Sequence, residues 1–336
     1  MKKIYYITAV FATLFLVGCG DGIDLPGVNV ETDLNKIPLP DNNVNLEQVE
    51  LKPSTEPMLH EGLHTEEDFQ RIRDKKAAGE EPWVSAYQLL VESQFSQKTA
   101  DTYPTEWIKR GVSGDENYMN AARGATIVYQ QALRWKIEQD DEYAAKAVEN
   151  LNKWVQTCVG VTGNTNLSLA AGLYGYEFAI AGELLRDYGG WDRADFAAFQ
   201  NWLLKVFYPA NDDFLKRHHD TNALHYWANW CLCNIAAKMA IGIVTDRRDI
   251  YNEGIAHLQT GDTNGRLRRA IYHDYAPDYN FAQWQESGRD QGHTLMCVGL
   301  MGIICQLAWS QGDDFFAYDD NLFMRACEYA ACCNYT

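Results

Sequence analysis

The sequence predicts an all-α protein, either an (α/α) toroid or an incomplete α/α barrel built from antiparallel helix hairpins. Apolar residues recur with the period of a helix over nearly the whole chain after His60, and strand-like alternation is nearly absent. The helical stretches have similar lengths and are joined by short turns rich in Gly, Asp and Pro. We find no repeat of fixed period, which favours a toroid over a stacked solenoid.

The N-terminus has the features of an export signal. Two lysines precede an apolar run from Ile4 to Val17, which is too short to span a bilayer comfortably. The run leads into Gly18-Cys19, the pattern of a bacterial lipobox. The sequence therefore predicts that residues 1–19 are a lipoprotein signal peptide and that Cys19 is lipid-modified. We expect an exported, membrane-anchored protein on the periplasmic or cell-surface side of a Gram-negative envelope.

The rest of the chain divides into a tether and one domain. Residues 20–59 are rich in Asp, Asn, Pro and Glu without a sustained apolar period, so we expect a flexible tether. Residues 60–336 are long enough for one domain with a sizeable core. Fewer helices are predicted than a complete ring of hairpins needs, which leaves open a truncation at the C-terminus. The predicted helices are 65–79, 82–96, 117–139, 141–158, 168–188, 192–207, 221–243, 248–258, 289–309 and 320–333.

The composition of the chain limits the classes of ligand that it can bind. The net charge of −17 argues against nucleic acid, because phosphate binding needs a clustered basic surface. It does not exclude an anionic sugar, since local clusters such as residues 217–219 or 266–269 can line an electropositive cleft. Most cysteines fall on predicted helices, where they resemble small core residues, and no spacing matches a zinc site. We expect no metal and no other cofactor.

The most informative segment is QESGRDQGHT, residues 285–294. On a helix, Arg289 and His293 fall on one face, four residues apart. A cation and an imidazole presented together at a helix N-terminus form a natural carboxylate site. The alternative is a charged helix cap with a satisfied histidine. The polar density, followed at once by an apolar run, favours the binding site, with Gln285 and Glu286 as further substrate ligands.

A second polar segment covers residues 214–230 and is predicted to lie mostly on the helix that begins at Thr221. Several of its amides and rings share one helical face, and its tryptophans offer large flat surfaces. Sugar-binding clefts combine amides, imidazoles and aromatic planes in this way. Taken singly, each histidine is equally well explained as an ordinary core or surface residue. The candidates are His219, Asn222, His225, Tyr226, Trp227, Asn229 and Trp230.

A third, weaker segment is the polar loop GNTNL, residues 163–167. It precedes a predicted helix, and Asn166 could face a cleft as a substrate ligand. A lone amide at this position is more often a helix cap or a turn residue.

Three motifs resemble a known family. HEGLH at 60–64 followed by EPW at 81–83, YWANW at 226–230 and above all ESGRDQGH at 286–293 are similar to the alginate-lyase-like domain of exported bacterial polysaccharide lyases. The resemblance covers the chain from about His60 to its end. It implies an α/α toroid that degrades uronate-containing glycans, such as alginate or glucuronan, by β-elimination. Cys231 departs from it, because the family places an acidic residue there.

The resemblance also implies roles. In such lyases an Asn, Arg or His neutralises the uronate carboxylate, and a Tyr or His transfers protons. By matching position, Asn229, Arg289 and His293 are the candidates for carboxylate binding. His219 or His225, together with a tyrosine, is the candidate for proton transfer. Tyr226 lies in the matching segment, but the sequence does not rank it against the tyrosines of residues 272–279.

Two other functions stay open at this point. The same toroid could be a glycoside hydrolase with Glu286 and Asp290 as its paired carboxylates, which would give saturated products. It could also be a glycan-binding lipoprotein without activity, including a truncated, inactive lyase. Saturable binding without any product would support that function.

Overall fold

The computed structural model describes residues 54–335. Most of this part of the chain is helical, and the strands are only three or four residues long, too short to show alternation in the sequence. The strands pair as parallel β1–β2 and antiparallel β3–β4. They are β1 (Trp107–Arg110), β2 (Gly160–Gly163), β3 (Ile271–Asp274) and β4 (Ala282–Trp284). The helices are α1 (Glu66–Ala77), α2 (Trp83–Glu92), α3 (Tyr118–Glu138), α4 (Asp141–Thr157), α5 (Leu167–Leu184), α6 (Arg193–Val206), α7 (Tyr208–Arg217), α8 (Ala228–Val244), α9 (Arg248–Thr260), α10 (Leu267–Ala270), α11 (Gln291–Ser310) and α12 (Tyr318–Tyr335).

Four hairpins form two layers. The inner helices α3, α5, α8 and α11 pack side by side in chain order, and each is followed by an outer helix, α4, α6, α9 or α12. Both α5 and α8 are buried on nearly all sides, as expected for helices that are apolar all round. Because every inner helix begins a hairpin, the inner helices run in the same direction and their N-terminal ends share one edge. This arrangement confirms the predicted fold class, an α/α toroid.

Small and amide side chains allow α5 and α8 to pack closely. A Cβ atom at Gly172 of α5 would lie 2.5 Å from the Sγ atom of Cys233. Next to this contact, Asn234 donates its Nδ2 to the carbonyl of Ser168 (3.2 Å) and accepts from Asn211 (2.7 Å), so the two buried amides are bonded to each other. Cys231 and Cys233 are fully buried, which confirms that they are core residues. The start of α5 is thereby fixed against α8.

The helix predicted over residues 221–243 begins only at Ala228, so the proposed helical face shared by Asn222, His225, Tyr226 and Asn229 was wrong. Residues 221–227 form turns instead. The Oδ1 atom of Asn222 accepts the N–H of Leu224 (2.8 Å), an interaction that competes with helix formation. A separate helix that the sequence analysis missed, α7, has a proline in its first turn.

The predicted helix over 289–309 begins at Gln291. Its N-cap is Asp290, whose Oδ1 atom accepts the N–H of His293 (2.8 Å). Arg289 therefore precedes this helix, and the expectation that Arg289 and His293 share one helical face was wrong.

The described N-terminal residues lie across the C-terminal ends of the inner helices. Gln311, which follows α11, accepts the N–H of Leu59 (2.8 Å) and donates to the carbonyl of Glu61 (2.7 Å). Arg248 donates to the carbonyls of Glu56 (2.8 Å) and Pro57 (2.9 Å). Residues 54–59, which the sequence analysis placed in the tether, are thus bound to the domain. The predicted signal peptide, Cys19 and the tether up to residue 53 lie outside the described residues.

One carboxyl group on the inner helix α5 lacks a full set of partners. The Oε2 atom of Glu177 on α5 is shielded from solvent and has no hydrogen-bond partner among the described residues. Burial raises the pKa of Glu177 from 4.5 to about 8, although a hydrogen bond from Tyr176 opposes the shift. Below about pH 8 this group is therefore largely neutral in the folded protein.

Glu177 should make the folded protein less stable as the pH rises. The folded state binds this proton more tightly than the unfolded chain, so the free energy of unfolding falls between about pH 4.5 and about pH 8. A Glu177→Gln variant lacks this titration and should gain on the order of a few kcal/mol relative to wild type across that range. Urea denaturation of both proteins near both limits measures the difference. A difference that does not change with pH would contradict the assignment.

Candidate active site

The predicted site residues gather at the edge where the inner helices begin. Asn229 lies in the first turn of α8, and His293 lies in the first turn of α11. Ser168, at the start of α5, contacts His219 from the loop before α8. Helix N-termini carry the positive end of the helix dipole. This edge therefore favours an anionic ligand.

Glu286 lies at the centre of a first cluster and is fully buried. Its Oε1 atom accepts the backbone N–H of Asn229 (2.8 Å) and the thiol of Cys297 (3.2 Å). Its Oε2 atom accepts Nδ2 of Asn229 (3.3 Å) and Nη1 of Arg289 (3.3 Å). Burial raises the pKa of Glu286, and these donors together with His293 oppose the shift. Glu286 therefore positions two other candidate residues and does not itself face a ligand.

Gln285 and Glu286 also cap α8 from a distance of 57 residues in sequence. Trp227, the N-cap residue of α8, makes no capping hydrogen bond with its side chain. The Oε1 atom of Gln285 accepts the N–H of Ala228 (2.9 Å), and Glu286 accepts the next N–H group. Gln285, predicted as a substrate ligand, thus has its carbonyl oxygen engaged within the protein.

Arg289 and His293 place a guanidinium and an imidazole in the cluster and are each about 30% exposed. The guanidinium of Arg289 lies over the ring of Trp227, 5.3 Å from its centroid. The Nδ1 atom of His293 lies 2.6 Å from Asp290, which leaves Nε2 without a hydrogen-bond partner in residues 54–335. Burial favours a higher pKa for Asp290, but the bonds from His293 and the charge of Arg289 lower it. Asp290 therefore stays ionised and brings Arg289 and His293 to one place, although they are not on one helix.

Asn229 is held in one orientation. Its Nδ2 atom donates to Glu286, while its Oδ1 atom is buried and has no hydrogen-bond partner among the described residues. A free amide oxygen accepts a hydroxyl proton and does not bind a carboxylate. Carboxylate binding by Asn229 would require the amide to turn and Glu286 to donate a proton. The geometry favours Arg289 and His293 for that role.

His219 and Tyr226 form a second cluster. The Nε2 atom of His219 lies 3.0 Å from the hydroxyl of Ser168, and its ring packs edge-on against Tyr226 at 5.7 Å. Tyr226 also packs against Trp230 at 4.7 Å. His219 is the second of three consecutive residues with positive φ, a strained turn that places its ring between α5 and Tyr226. An imidazole and a phenol in contact are suited to proton transfer.

The structure distinguishes Tyr226 from Tyr275 and Tyr279 in the region of the β3–β4 hairpin. Tyr275 donates its hydroxyl to Gln283 (2.7 Å) and stacks on Tyr329 at 5.9 Å. Tyr279 is 64% exposed on the hairpin. Tyr226 contacts both candidate histidines, His219 and His225, and lies directly before the tryptophan under Arg289.

Three of the predicted site residues belong to neither cluster. His225 is exposed and touches the site only through the ring of Tyr226, at 4.9 Å. Asn222 is an exposed turn residue, and Asn166 donates its Nδ2 to Asn164 (2.9 Å) in the loop before α5. Within residues 54–335, no group of three or more His, Cys, Asp and Glu side chains is arranged to hold a metal ion.

An aromatic and cationic group at the start of α3 was not predicted from the sequence. Tyr118 stacks on Tyr174 of α5 at 6.5 Å, and the guanidinium of Arg110 lies over the ring of Tyr118 at 4.7 Å. Arg110 is placed by the pairing of β1 with β2, where it lies opposite Gly163. A Cβ atom at Gly163 would lie 1.7 Å from the carbonyl oxygen of Arg110, so a glycine is required. In the sequence, this glycine of the polar loop was the only indication of the group.

The helical toroid and the arginine, histidine, asparagine and tyrosine at the edge where its inner helices begin agree with the class of polysaccharide lyases. The chain belongs to the alginate lyase family, because the profile described as "Alginate lyase" matches residues 72–332, well over half of its length. The resemblance that the sequence motifs indicated is thereby confirmed. No curated protein matches the chain.

Solved structures of alginate lyases share the fold. A His-to-Ala variant of alginate lyase A1-III complexed with tetrasaccharide has 13% sequence identity and a TM-score of 0.62, covering 82% of this chain and 78% of that chain. Alginate lyase A1-III from Sphingomonas species A1 has 13% identity and a TM-score of 0.57, with coverages of 82% and 80%. An alginate lyase from Bacteroides ovatus has 14% identity and a TM-score of 0.55, with coverages of 80% and 82%.

Proposed function

We propose that this polysaccharide lyase cleaves uronate-containing glycans of the alginate or glucuronan type by β-elimination. The observation that carries the proposal is the pair Arg289 and His293, which are half-buried, cationic or proton-donating, and placed at helix N-termini in a protein of net charge −17. Such a site selects a carboxylate. A related alginate lyase has been captured with a tetrasaccharide, which supports an oligosaccharide as the ligand of this edge.

The proposed reaction needs one carboxylate site and two proton transfers. Arg289 and the Nε2 atom of His293 bind the substrate carboxylate and stabilise the charge that develops when the C5 proton leaves. His219 and Tyr226 divide the proton transfers, one removing the C5 proton and the other protonating the leaving O4. The C5–H and C4–O4 bonds break, a C4=C5 double bond forms, and no water is consumed.

The arrangement of acids disfavours the hydrolase alternative. A glycoside hydrolase needs two carboxyl groups that face the scissile bond. Glu286 is fully buried among Asn229, Arg289 and Cys297, and Asp290 caps α11 and binds His293. Neither acid is available for that chemistry.

Ultraviolet absorbance tests the proposed function. Protein comprising residues 20–336 is mixed separately with alginate, polyglucuronate and a hyaluronan-type glycan. A rise in absorbance on alginate or polyglucuronate is expected, because elimination creates a double bond conjugated to the carboxylate. A folded protein that gives no rise on any of the three would overturn the proposal.

We further propose that the protein is a lipoprotein anchored through Cys19, on the periplasmic or cell-surface side of the envelope. The lysines, the apolar run and the lipobox at the N-terminus support this, as does a polymeric substrate that is found outside the cytoplasm. The full-length protein should sediment with membranes, whereas a Cys19→Ser variant should lose the lipid attachment. Labelling with a radioactive fatty acid decides it, and equal labelling of both proteins would contradict the anchor.

A further inference from the structure

A cavity of about 320 Å³ lies outside the inner layer, between α3 and residues 94–103. Sites for small molecules have volumes of roughly 300–1,000 Å³, so this cavity has room for about one sugar unit. Its lining carries one base, Arg123, and one acid, Asp101. Amide and aromatic side chains complete it, among them Asn120, Phe95 and Tyr103.

The cavity is separate from the candidate active site. Successive residues on a helix are about 100° apart, so Asn120 and Ile127 lie on the side of α3 opposite to Tyr118 and Tyr129. Tyr118 faces α5 and its Tyr174, and Asn120 and Ile127 line the cavity. A ligand in the cavity therefore contacts the outer face of α3 and not the edge where α5, α8 and α11 begin.

Buried polar side chains fix the wall of the cavity. Gln131 donates to the carbonyl of Ala100 (3.1 Å), and Asn150 donates to the same carbonyl (2.9 Å). Asn150 also accepts the N–H of Thr102 (3.1 Å), whose hydroxyl accepts the indole N–H of Trp154. Both amide side chains are fully buried. The segment is thus held in one shape before any ligand binds, which lowers the entropy cost of binding.

The charge of the cavity favours an anion. Asp101 is paired with Lys146 (2.6 Å) and Lys153 (3.0 Å), and both lysines also contact Glu149. The charges of these two acids and two lysines therefore cancel. The exposed guanidinium of Arg123 forms no ion pair or hydrogen bond with any residue in the described part of the chain, so it adds one uncompensated positive charge.

We propose that this cavity is a second glycan-binding site, which takes a uronate unit of the same polysaccharide at a distance from the point of cleavage. Arg123 pairs with the carboxylate, and the ring of Tyr103, 75% exposed, lies against the sugar. Asn120 provides a hydrogen-bonding group for the hydroxyls. The inference rests on the proposed function for the identity of the ligand. A polymer held here stays near the enzyme between cleavages.

The kinetic test compares Arg123→Ala and Tyr103→Ala with Arg193→Ala, a matched change at an exposed arginine of α6. For a long polyuronate, the first two variants should raise KM by about fivefold or more, because Arg123→Ala loses a charge-assisted bond and Tyr103→Ala loses the ring against the sugar. For a tetrasaccharide, kcat and KM should stay at the wild-type values. An unchanged KM for the polymer, or the same rise in Arg193→Ala, would overturn the proposal.

Affinity electrophoresis through a gel containing polyuronate gives a second readout that does not need turnover. Wild type and Arg193→Ala should be retarded, and Arg123→Ala should migrate faster than either. If wild type cleaves the polymer but Arg123→Ala is retarded as strongly as wild type, the second site is refuted and the proposed function is not. Retardation that depends on Arg123 in a protein without lyase activity would refute the proposed function and leave the site standing.

Discussion

Replacing Arg289 with alanine is expected to lower kcat/KM on a uronate polymer by about 10²-fold or more. The substitution removes a donor that meets the substrate carboxylate where negative charge develops in the transition state, and single groups of this kind have effects of that size. Arg289→Lys keeps the charge but loses the planar fork, so it should recover only part of the activity. Steady-state kinetics on alginate or polyglucuronate measures both variants.

The Arg289 variants need a stability control, because this side chain also pairs with the buried Glu286 at 3.3 Å. A loss of activity at an unchanged thermal midpoint supports a role in binding and catalysis. Wild-type activity in a folded Arg289→Ala protein would remove Arg289 from the site and leave the carboxylate to His293 or Asn229.

Tyr226→Phe is expected to lower kcat by roughly 10²- to 10⁴-fold, the usual contribution of a proton-transferring group. The ring packs against Phe214 and Trp230, and the hydroxyl makes no hydrogen bond with any residue of 54–335, so the free energy of unfolding should change little. His219→Gln should lose activity on a similar scale.

Tyr275→Phe is the matched control for the tyrosine assignment. This change removes the hydrogen bond from Tyr275 to Gln283 in the β3–β4 hairpin and should affect stability more than rate. Full activity of Tyr226→Phe together with inactive Tyr275→Phe would move the proton-transferring role to the hairpin.

The inner helices could be predicted because their patterns are long and local. Helices α3, α5, α8 and α11 are recognisable from the helical period of their apolar residues, and their C-terminal bounds lie close to the predicted ones. Features that depend on distant contacts could not be predicted. The strands β1 and β2 are short and lie about 50 residues apart, and the N–H groups at the start of α8 are capped by side chains that come much later in the chain.

In the candidate site, too, local patterns could be predicted from the sequence and contacts between distant residues could not. The sequence selected the segment that contains Glu286, Arg289 and His293, but it assigned their proximity to helical spacing. In the structure Asp290 is the N-cap of α11 and also binds His293, so this capping residue brings Arg289 and His293 together. The turns at residues 221–227 were not recognised, because the local bond of Asn222 outweighs a helical pattern. Glu286 was predicted as a substrate ligand, and only its burial shows that it positions others.

The most direct test of the β-elimination mechanism is cleavage of a uronate polymer in water enriched in heavy oxygen, followed by mass spectrometry of the products. Elimination consumes no water, so β-elimination predicts new non-reducing ends that carry no heavy oxygen and are lighter than saturated ends by one water. Saturated non-reducing ends, with one heavy oxygen taken up from water at each cleavage, would show hydrolysis and contradict β-elimination.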